Sequence, residues 1–160
     1  IENLGNTGNQ SFDNIEDIVL GGLAQIPSTS RLYESVMKIF NDYKSGITVD
    51  ECFNYIHSAY DEHTDHGWCH TISNAMIVTA ALLYGEGDFG KSICCAVGMA
   101  FDTDCNGATV GSVLGIINGA KGIDKCWTDP INDTLETTIF GVTMVKISEC
   151  AKKTIEHIAK

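Results

Sequence analysis

One short acidic segment carries the strongest chemical signal in the sequence. Residues 101–107 read Phe-Asp-Thr-Asp-Cys-Asn-Gly, with Asp102 and Asp104 separated by a single residue just before a predicted helix. Two carboxylates at this spacing can direct hard oxygen ligands to one point, which is the chemistry that Mg²⁺, Mn²⁺ or Ca²⁺ requires. The same pattern fits a helix N-cap followed by a first-turn acid that the helix dipole stabilises. Spacing alone leaves both interpretations open.

A calcium-binding EF-hand loop is the nearest familiar pattern, and the segment departs from it. Asp102, Asp104, Asn106 and Gly107 match the first, third, fifth and sixth positions of that loop. The last position requires a bidentate Glu, whereas this chain has Val113 there. Calcium sensing by an EF-hand is therefore not predicted.

Residues 61–70 form a second cluster of polar side chains, reading Asp-Glu-His-Thr-Asp-His-Gly-Trp-Cys-His. A zinc site is one interpretation, since His63, His66, Cys69 and His70 offer nitrogen and sulfur ligands. Their spacing matches no closed structural zinc site, so a solvated loop between helices is the favoured interpretation.

Four glycines recur at every fourth residue after the acidic segment: Gly107, Gly111, Gly115 and Gly119. Each interior Gly costs a helix about 1 kcal/mol relative to Ala, so a compensating contact is expected. A row without side chains makes a smooth groove that another helix or a ligand can approach closely. Tight helix packing is the favoured interpretation of this row.

Hydrophobic periodicity predicts helices along nearly the whole chain. Pro27 ends the first, Ser28 or Ser30 caps the second, a Thr48 and Glu51 capping box opens the third, and Ser148 caps the last. The predicted helical segments are 12–26, 32–43, 48–60, 71–84, 89–100, 106–119 and 148–159. Only residues 137–145 have β-like composition, and one isolated strand cannot build a sheet. The sequence predicts an all-α fold, a compact bundle of about seven helices in a single domain over residues 1–160.

Charge and composition narrow the class of protein. The 160 residues carry 10 Lys and Arg against 21 Asp and Glu, a net charge of −11, which disfavours a nucleic-acid partner. No apolar run is long enough to span a membrane, and no signal peptide opens the chain, so the sequence predicts a cytoplasmic protein without a membrane partner. The seven Cys include no C-x-x-C pair, so neither a disulfide framework nor a zinc ribbon is predicted, and most of them are expected to be buried thiols.

The acidic segment and the glycine row together resemble one protein family. Residues 101–122, reading FDTDCNGATVGSVLGIINGAKG, are similar to the C-terminal metal motif of the ADP-ribosylglycohydrolase family. Segments 24–32, 70–75, 83–89 and 132–137 also resemble one branch of that family, in the same order. The resemblance covers most of the chain, from about residue 16 onward.

This resemblance implies an all-α fold similar to the C-terminal half of the family's fold. It implies an enzyme that uses two metal ions, usually Mg²⁺, to hydrolyse the glycosidic bond at the anomeric carbon of an ADP-ribosyl group. Asp102 and Asp104 would be metal ligands, and His70 and Thr71 would contact the substrate, an ADP-ribosyl group or a related nucleotide sugar. A capping role at the start of a helix is the alternative for His70 and Thr71.

Two departures from the family pattern qualify this expectation. Cys105 stands where the family often has a Thr that joins the metal, and a neutral thiol is a poor ligand for a hard ion. The family's other metal motif, a Thr-Asp-Asp-Thr cluster, is absent from the sequence.

Two Mg²⁺ ions require about six oxygens each, so half of the site is missing. Together with the start at Ile1, this predicts the C-terminal portion of a larger enzyme, whose missing N-terminal half is a partner. Such a chain is expected to bind metal weakly and to have no turnover alone. The alternative is a helical binding or regulatory module without catalysis or metal.

Overall fold

A computed structural model describes residues 14–158 of the chain. Within that range it contains eight α-helices and one β-hairpin, and the all-α prediction is confirmed in that the fold is mainly helical. The helices are α1 (Ile15–Leu23), α2 (Arg31–Lys44), α3 (Val49–Ala59), α4 (Thr71–Gly85), α5 (Phe89–Gly98), α6 (Thr103–Gly122), α7 (Lys125–Thr128) and α8 (Ile147–Ile158), and the strands are β1 (Thr134–Ile139) and β2 (Val142–Lys146). Phe12 and Ala159, predicted within the first and last helices, lie outside the described residues.

The chain divides between Gly119 and Ala120 into two compact units. The single domain over residues 1–160 stays a prediction, because two units of this kind can belong to one domain or to two. In the range 14–158, no helix is both long and apolar enough to cross a membrane.

Helix α4 is the centre of the first unit. Its sequence is apolar on nearly every side. The exposed fraction is 1% or less for Met76, Ile77, Ala80 and Leu83. Helices α1, α2, α3 and α5 pack against it. A helix that is hydrophobic all round must be enclosed by others, so the sequence predicted this central position correctly.

Local capping signals set several helix ends as predicted. Ser30 Oγ accepts the Tyr33 N–H at the start of α2. At the start of α3, Glu51 Oε2 accepts the Thr48 N–H (2.9 Å) and Thr48 Oγ1 accepts the Glu51 N–H (3.3 Å), so the capping box is confirmed. These ends were predictable because each depends on residues only three positions apart.

The glycine row of α6 packs against α5 along its first half only. A Cβ on Gly107 would lie 3.3 Å from a Val97 methyl group, and one on Gly111 would lie 3.5 Å from Ile93. Helix packing is therefore confirmed for these two glycines. Among residues 14–158, no neighbouring element comes within 4 Å of a Cβ built on Gly115 or Gly119, and Gly119 interrupts the helix with a φ of +63°.

The second unit corrects two predictions. Residues 137–145 are not one isolated strand, because Gly141, at a φ of +78°, turns the chain between β1 and β2, which pair antiparallel. Ser148 does not cap α8, which begins at Ile147. Asp133 instead accepts the Ser148 N–H (2.8 Å) and the Ser148 hydroxyl (2.6 Å), a contact between residues 15 positions apart that local pattern does not reveal.

The junction between α5 and α6 also differs from the prediction. Helix α5 ends at Gly98 rather than Ala100, and α6 begins at Thr103 rather than Asn106. Ala100 and Phe101 both adopt left-handed conformations, with φ of +63° and +58°, and these end one helix and redirect the chain into the next.

Candidate metal centre

The acidic segment forms a turn whose polar side chains converge. Ligand atoms of Asp102, Asp104 and Cys105 lie within 4.8 Å of one another. Among residues 14–158, this is the one place where three or more His, Cys, Asp or Glu side chains come close enough to hold a metal ion. Asp102 is half-buried, and Asp104 and Cys105 are exposed. Asp102 directly precedes α6, and its carbonyl accepts the Asn106 N–H (2.9 Å). We refer to residues 99–105 as the metal turn.

Electrostatics within this turn favour an anionic Asp104 and a neutral Cys105. A hydrogen bond to the Asp102 side chain, helped by the N–H groups of Asp104 and Cys105, lowers the pKa of Asp104 below its ordinary value. A hydrogen bond to Asp102 and the charge of that residue raise the pKa of the Cys105 thiol. The turn therefore offers carboxylate oxygens rather than a thiolate, which is a donor set for a hard cation.

The backbone that presents Asp102 is strained. Ala100 and Phe101 are consecutive non-glycine residues in the left-handed region, and each such residue costs about 1–3 kcal/mol. Strain of this kind persists only where neighbouring groups hold it in place.

Three side chains from elsewhere in the fold hold the metal turn. Glu62 Oε2 accepts the Phe101 N–H (2.8 Å), and Asn74 Oδ1 accepts the Asp102 N–H (3.2 Å). His57 Nε2 lies 3.1 Å from the Met99 carbonyl and donates to it, because a carbonyl can only accept. Backbone groups of Met99, Phe101 and Asp102, three residues within a stretch of four, are thus held by side chains 28 to 42 positions away.

His70 and Thr71 lie at the N-terminus of α4, on the same hydrogen-bond network as the metal turn. The Asn74 amide donates to the His70 carbonyl (3.0 Å) while it accepts from Asp102. His70 Nδ1 accepts the Ile72 N–H (3.2 Å), so this side chain caps α4, and its ring lies 5.2 Å from that of Tyr60. Both His70 and Thr71 are exposed.

Comparison with known proteins assigns the family. The sequence model of the ADP-ribosylglycohydrolase family matches residues 4–157, nearly the whole chain. The chain belongs to the ADP-ribosylglycohydrolase family. No curated protein and no solved structure matches it.

Membership of the ADP-ribosylglycohydrolase family supports a hydrolase-like function and binding of an ADP-ribosylated substrate. The family is generally metal-dependent, and the metal turn is a possible acidic and Cys metal-binding group. The observation that tests the fit is the donor set itself: the converging carboxyl groups of Asp102 and Asp104 offer the hard oxygen ligands that a divalent cation of this kind takes.

The zinc interpretation of the other cluster is not supported within this ADP-ribosylglycohydrolase chain. No three of His63, His66, Cys69 and His70, all within the described range, gather into a metal-holding group. The His70 Nδ1 is occupied by helix capping, and Cys69 Sγ donates to the His66 carbonyl (3.3 Å). The His63 side chain is 87% exposed.

Two cavities of the first unit are lined by residues outside the metal turn. One, of about 330 Å³, is lined by residues of α1, α2, α4 and α6, including Ile15, Tyr43 and Leu83. An apolar groove of about 260 Å³ lies between α1, α2 and α4. None of the five predicted site residues lines either of these cavities.

Sequence reasoning missed the residues that hold the metal turn. Glu62 was interpreted only as a member of the polar cluster at residues 61–70, and no role at the metal turn was predicted for Asn74. No local pattern marks either of them, because their partners Phe101 and Asp102 are 39 and 28 positions away.

Proposed function

We propose that this chain provides the Asp102 and Asp104 part of a Mg²⁺-dependent site that hydrolyses the glycosidic bond of ADP-ribosyl groups. The observation that carries the proposal is the convergence of these two carboxylates on the metal turn. The side chains of His57, Glu62 and Asn74 hydrogen-bond to the backbone of that turn. Family membership supplies the reaction class.

Asp102 and Asp104 would hold the cation, and Cys105 is the doubtful third ligand. A bound divalent cation would supply positive charge that orients sugar hydroxyls and a water molecule near the anomeric carbon. The chain's own contribution is to fix the backbone at Asp102, and with it the direction of the Asp102 side chain. The neutral thiol of Cys105 leaves that coordination position to water or to a backbone carbonyl.

His70 and Thr71 are proposed as substrate contacts. They begin α4 beside the network that ends on Asp102, and both are accessible to a ligand. The His70 ring keeps Nε2 as a hydrogen-bonding atom, since Nδ1 caps the helix. These features would let a sugar hydroxyl or a phosphate bind beside the cation.

The number of oxygens limits what this chain can do alone. Asp102 and Asp104 offer at most four carboxylate oxygens, whereas two Mg²⁺ ions take about six ligands each. We propose that the remaining protein ligands come from a partner N-terminal half of the enzyme. The chain alone should then bind Mg²⁺ weakly and turn over no substrate.

The proposal is tested by titrating the chain with Mg²⁺ and Mn²⁺ by calorimetry at constant ionic strength. Asp102→Asn and Asp104→Asn should each abolish the binding heat, because each removes an anionic ligand. Asp50→Asn is the matched control, an exposed first-turn acid of α3 outside the site. Equal binding heat in all four proteins would mean that the cation binds elsewhere and would contradict the proposal. No binding heat in the wild-type chain would favour a binding module without metal.

Turnover provides a second test. An ADP-ribosylated peptide incubated with the purified chain and Mg²⁺ should release no ADP-ribose above the rate of the Asp102→Asn variant. Robust release by the wild-type chain alone would show that the metal turn needs no complementary half.

A further inference from the structure

We propose that Asn74 and Glu62 are positioning residues that lock the metal turn in its left-handed conformation, and that metal affinity depends on this lock. The inference rests on the proposed function of Asp102 and Asp104. Two consecutive N–H groups, those of Phe101 and Asp102, are each accepted by one of these side chains.

Both the nitrogen and the oxygen of the Asn74 side-chain amide make hydrogen bonds. Its Nδ2 donates to the carbonyls of Trp68 (2.9 Å) and His70 (3.0 Å). Its Oδ1 accepts from the Asp102 N–H (3.2 Å) and from Asn106 Nδ2 (2.7 Å). Only a side chain with two donors and one acceptor can make all four bonds, so neither Asp nor Leu can replace it.

Asn106 extends this contact into the helix that follows the turn. Its side chain is 2% exposed and lies on the buried face of α6. Asn74 therefore holds the turn on both sides of Asp104, at Asp102 before it and at Asn106 after it. The relative position of the two carboxylates depends on these two bonds.

Glu62 holds the residue before Asp102. Phe101 is 8% exposed and left-handed, and its N–H donates to Glu62 Oε2 (2.8 Å). A carboxylate that accepts a backbone N–H makes a strong, charge-assisted bond. Without this bond, the backbone at Phe101 would lower its free energy by leaving the left-handed region for a negative φ. That change would turn Asp102 away from Asp104.

Neither Asn74 nor Glu62 is proposed to coordinate the cation, and each bonds to the backbone of the turn, so their effect on metal binding is indirect. Partners that orient metal ligands typically change affinity by roughly 10- to 100-fold when they are removed. We expect losses in this range for Asn74→Leu and Glu62→Ala. Glu62→Gln keeps an oxygen acceptor and should stay closer to the wild-type affinity.

The experiment combines two measurements on the full chain. Amide hydrogen exchange, read by NMR without metal, reports whether the Phe101 and Asp102 N–H groups are protected. Electron paramagnetic resonance of free Mn²⁺ gives the affinity of each variant. Glu51→Ala is the matched control, because Glu51 also accepts a backbone N–H, that of Thr48, but in the cap of α3.

If Asn74 and Glu62 hold the metal turn, Asn74→Leu should speed hydrogen exchange at the Asp102 amide, and Glu62→Ala should speed it at the Phe101 amide. Both substitutions should also weaken Mn²⁺ binding. Glu51→Ala should change neither. A second substitution, Ala100→Gly, removes left-handed strain at its own position. In the Glu62→Ala background it should restore part of the lost affinity, which a purely structural role of Glu62 would not predict.

Three outcomes decide the inference. Loss of amide protection together with loss of affinity supports it. Unchanged affinity in Asn74→Leu and Glu62→Ala, with binding lost in Asp102→Asn, overturns the lock but leaves the proposed function standing. Failure of the wild-type chain to bind Mn²⁺ at all overturns the proposed function, and the positioning role with it.

Discussion

At the scale of single residues, burial decides which cysteines can react. Cys52 is fully buried, and burial, helped by the charge of Asp42, raises its pKa to about 11. Burial also raises the pKa of Cys95, whereas Cys94, Cys105, Cys126 and Cys150 are exposed, so the prediction that most of the thiols are buried is wrong. The Cys52 thiol therefore stays neutral across the physiological range and acts as a small apolar core residue.

Cys52 should make stability fall in alkaline solution. Its pKa is near the ordinary 9.0 in the unfolded chain and about 11 in the folded one. The unfolded state thus loses the proton first, and the free energy of unfolding should decrease as the pH rises from about 9 to about 11. Cys52→Ala should lower stability at neutral pH but flatten this decline, as measured by urea unfolding at several pH values. An equally steep decline in the variant would contradict this assignment.

How far the sequence predicts a residue's role depends on the distance to its partner. The Asp102 and Asp104 pair was predictable because both residues lie at the start of one helix. The left-handed Ala100 and Phe101 were not, since neither is the Gly that normally marks such a conformation. Their conformation depends on Glu62 and Asn74, which only the fold brings near.

At the scale of elements, α4 and α5 are in close contact where α4 ends. Gly85 is buried, and a Cβ placed on it would overlap the Ser92 side chain and come within 2.9 Å of the Ser92 Cα. Ser92 Oγ is buried with no hydrogen-bond partner among the residues described. This contact fixes α5, which in turn leads into the metal turn.

Gly85→Ala should destabilise the fold by about 1–3 kcal/mol, because the added methyl group forces α5 away from α4. Gly22→Ala is the control, since Gly22 is exposed in α1 and no neighbouring group in the described part of the chain lies within 4 Å of its Cβ position. That change should stabilise the fold by about 0.5–1 kcal/mol through helix propensity. Chemical unfolding of both variants measures the contrast, and a neutral Gly85→Ala would show that α5 is free to shift.

Elements with local end signals were predicted well, and those defined by distant contacts were not. The capping box of α3 depends on Thr48 and Glu51 alone. The hairpin of β1 and β2 was missed because a Gly in the middle of a β-like run was not read as a turn. The start of α8 was misplaced because Ser148 bonds to Asp133 instead of capping the helix.

At the scale of the whole molecule, negative charge dominates. A net charge of −11 on 160 residues creates self-repulsion that opposes the compact state. Salt screens this repulsion, since the Debye length falls from about 30 Å at 0.01 M to about 8 Å at 0.15 M ionic strength. The chain should therefore respond to any cation, and specific binding must be separated from screening.

Thermal unfolding separates the two effects. Raising NaCl from about 0.01 M to about 0.15 M should raise the Tm of the wild-type chain and of Asp102→Asn, because screening acts on all charges. Replacing NaCl by MgCl₂ at equal ionic strength should raise the Tm further for the wild type only, since a bound ligand stabilises the folded state. An equal magnesium increment in both proteins would indicate screening alone.

The proposed function requires that the metal turn hold a hard divalent cation between Asp102 and Asp104. The most direct measurement is a crystal structure of the chain grown with Mn²⁺, with data collected for the anomalous signal of manganese. We predict an anomalous peak within coordination distance of a carboxylate oxygen of each aspartate. A well-ordered turn without that peak, its two carboxylates bonded only to neighbouring N–H groups, would contradict the account.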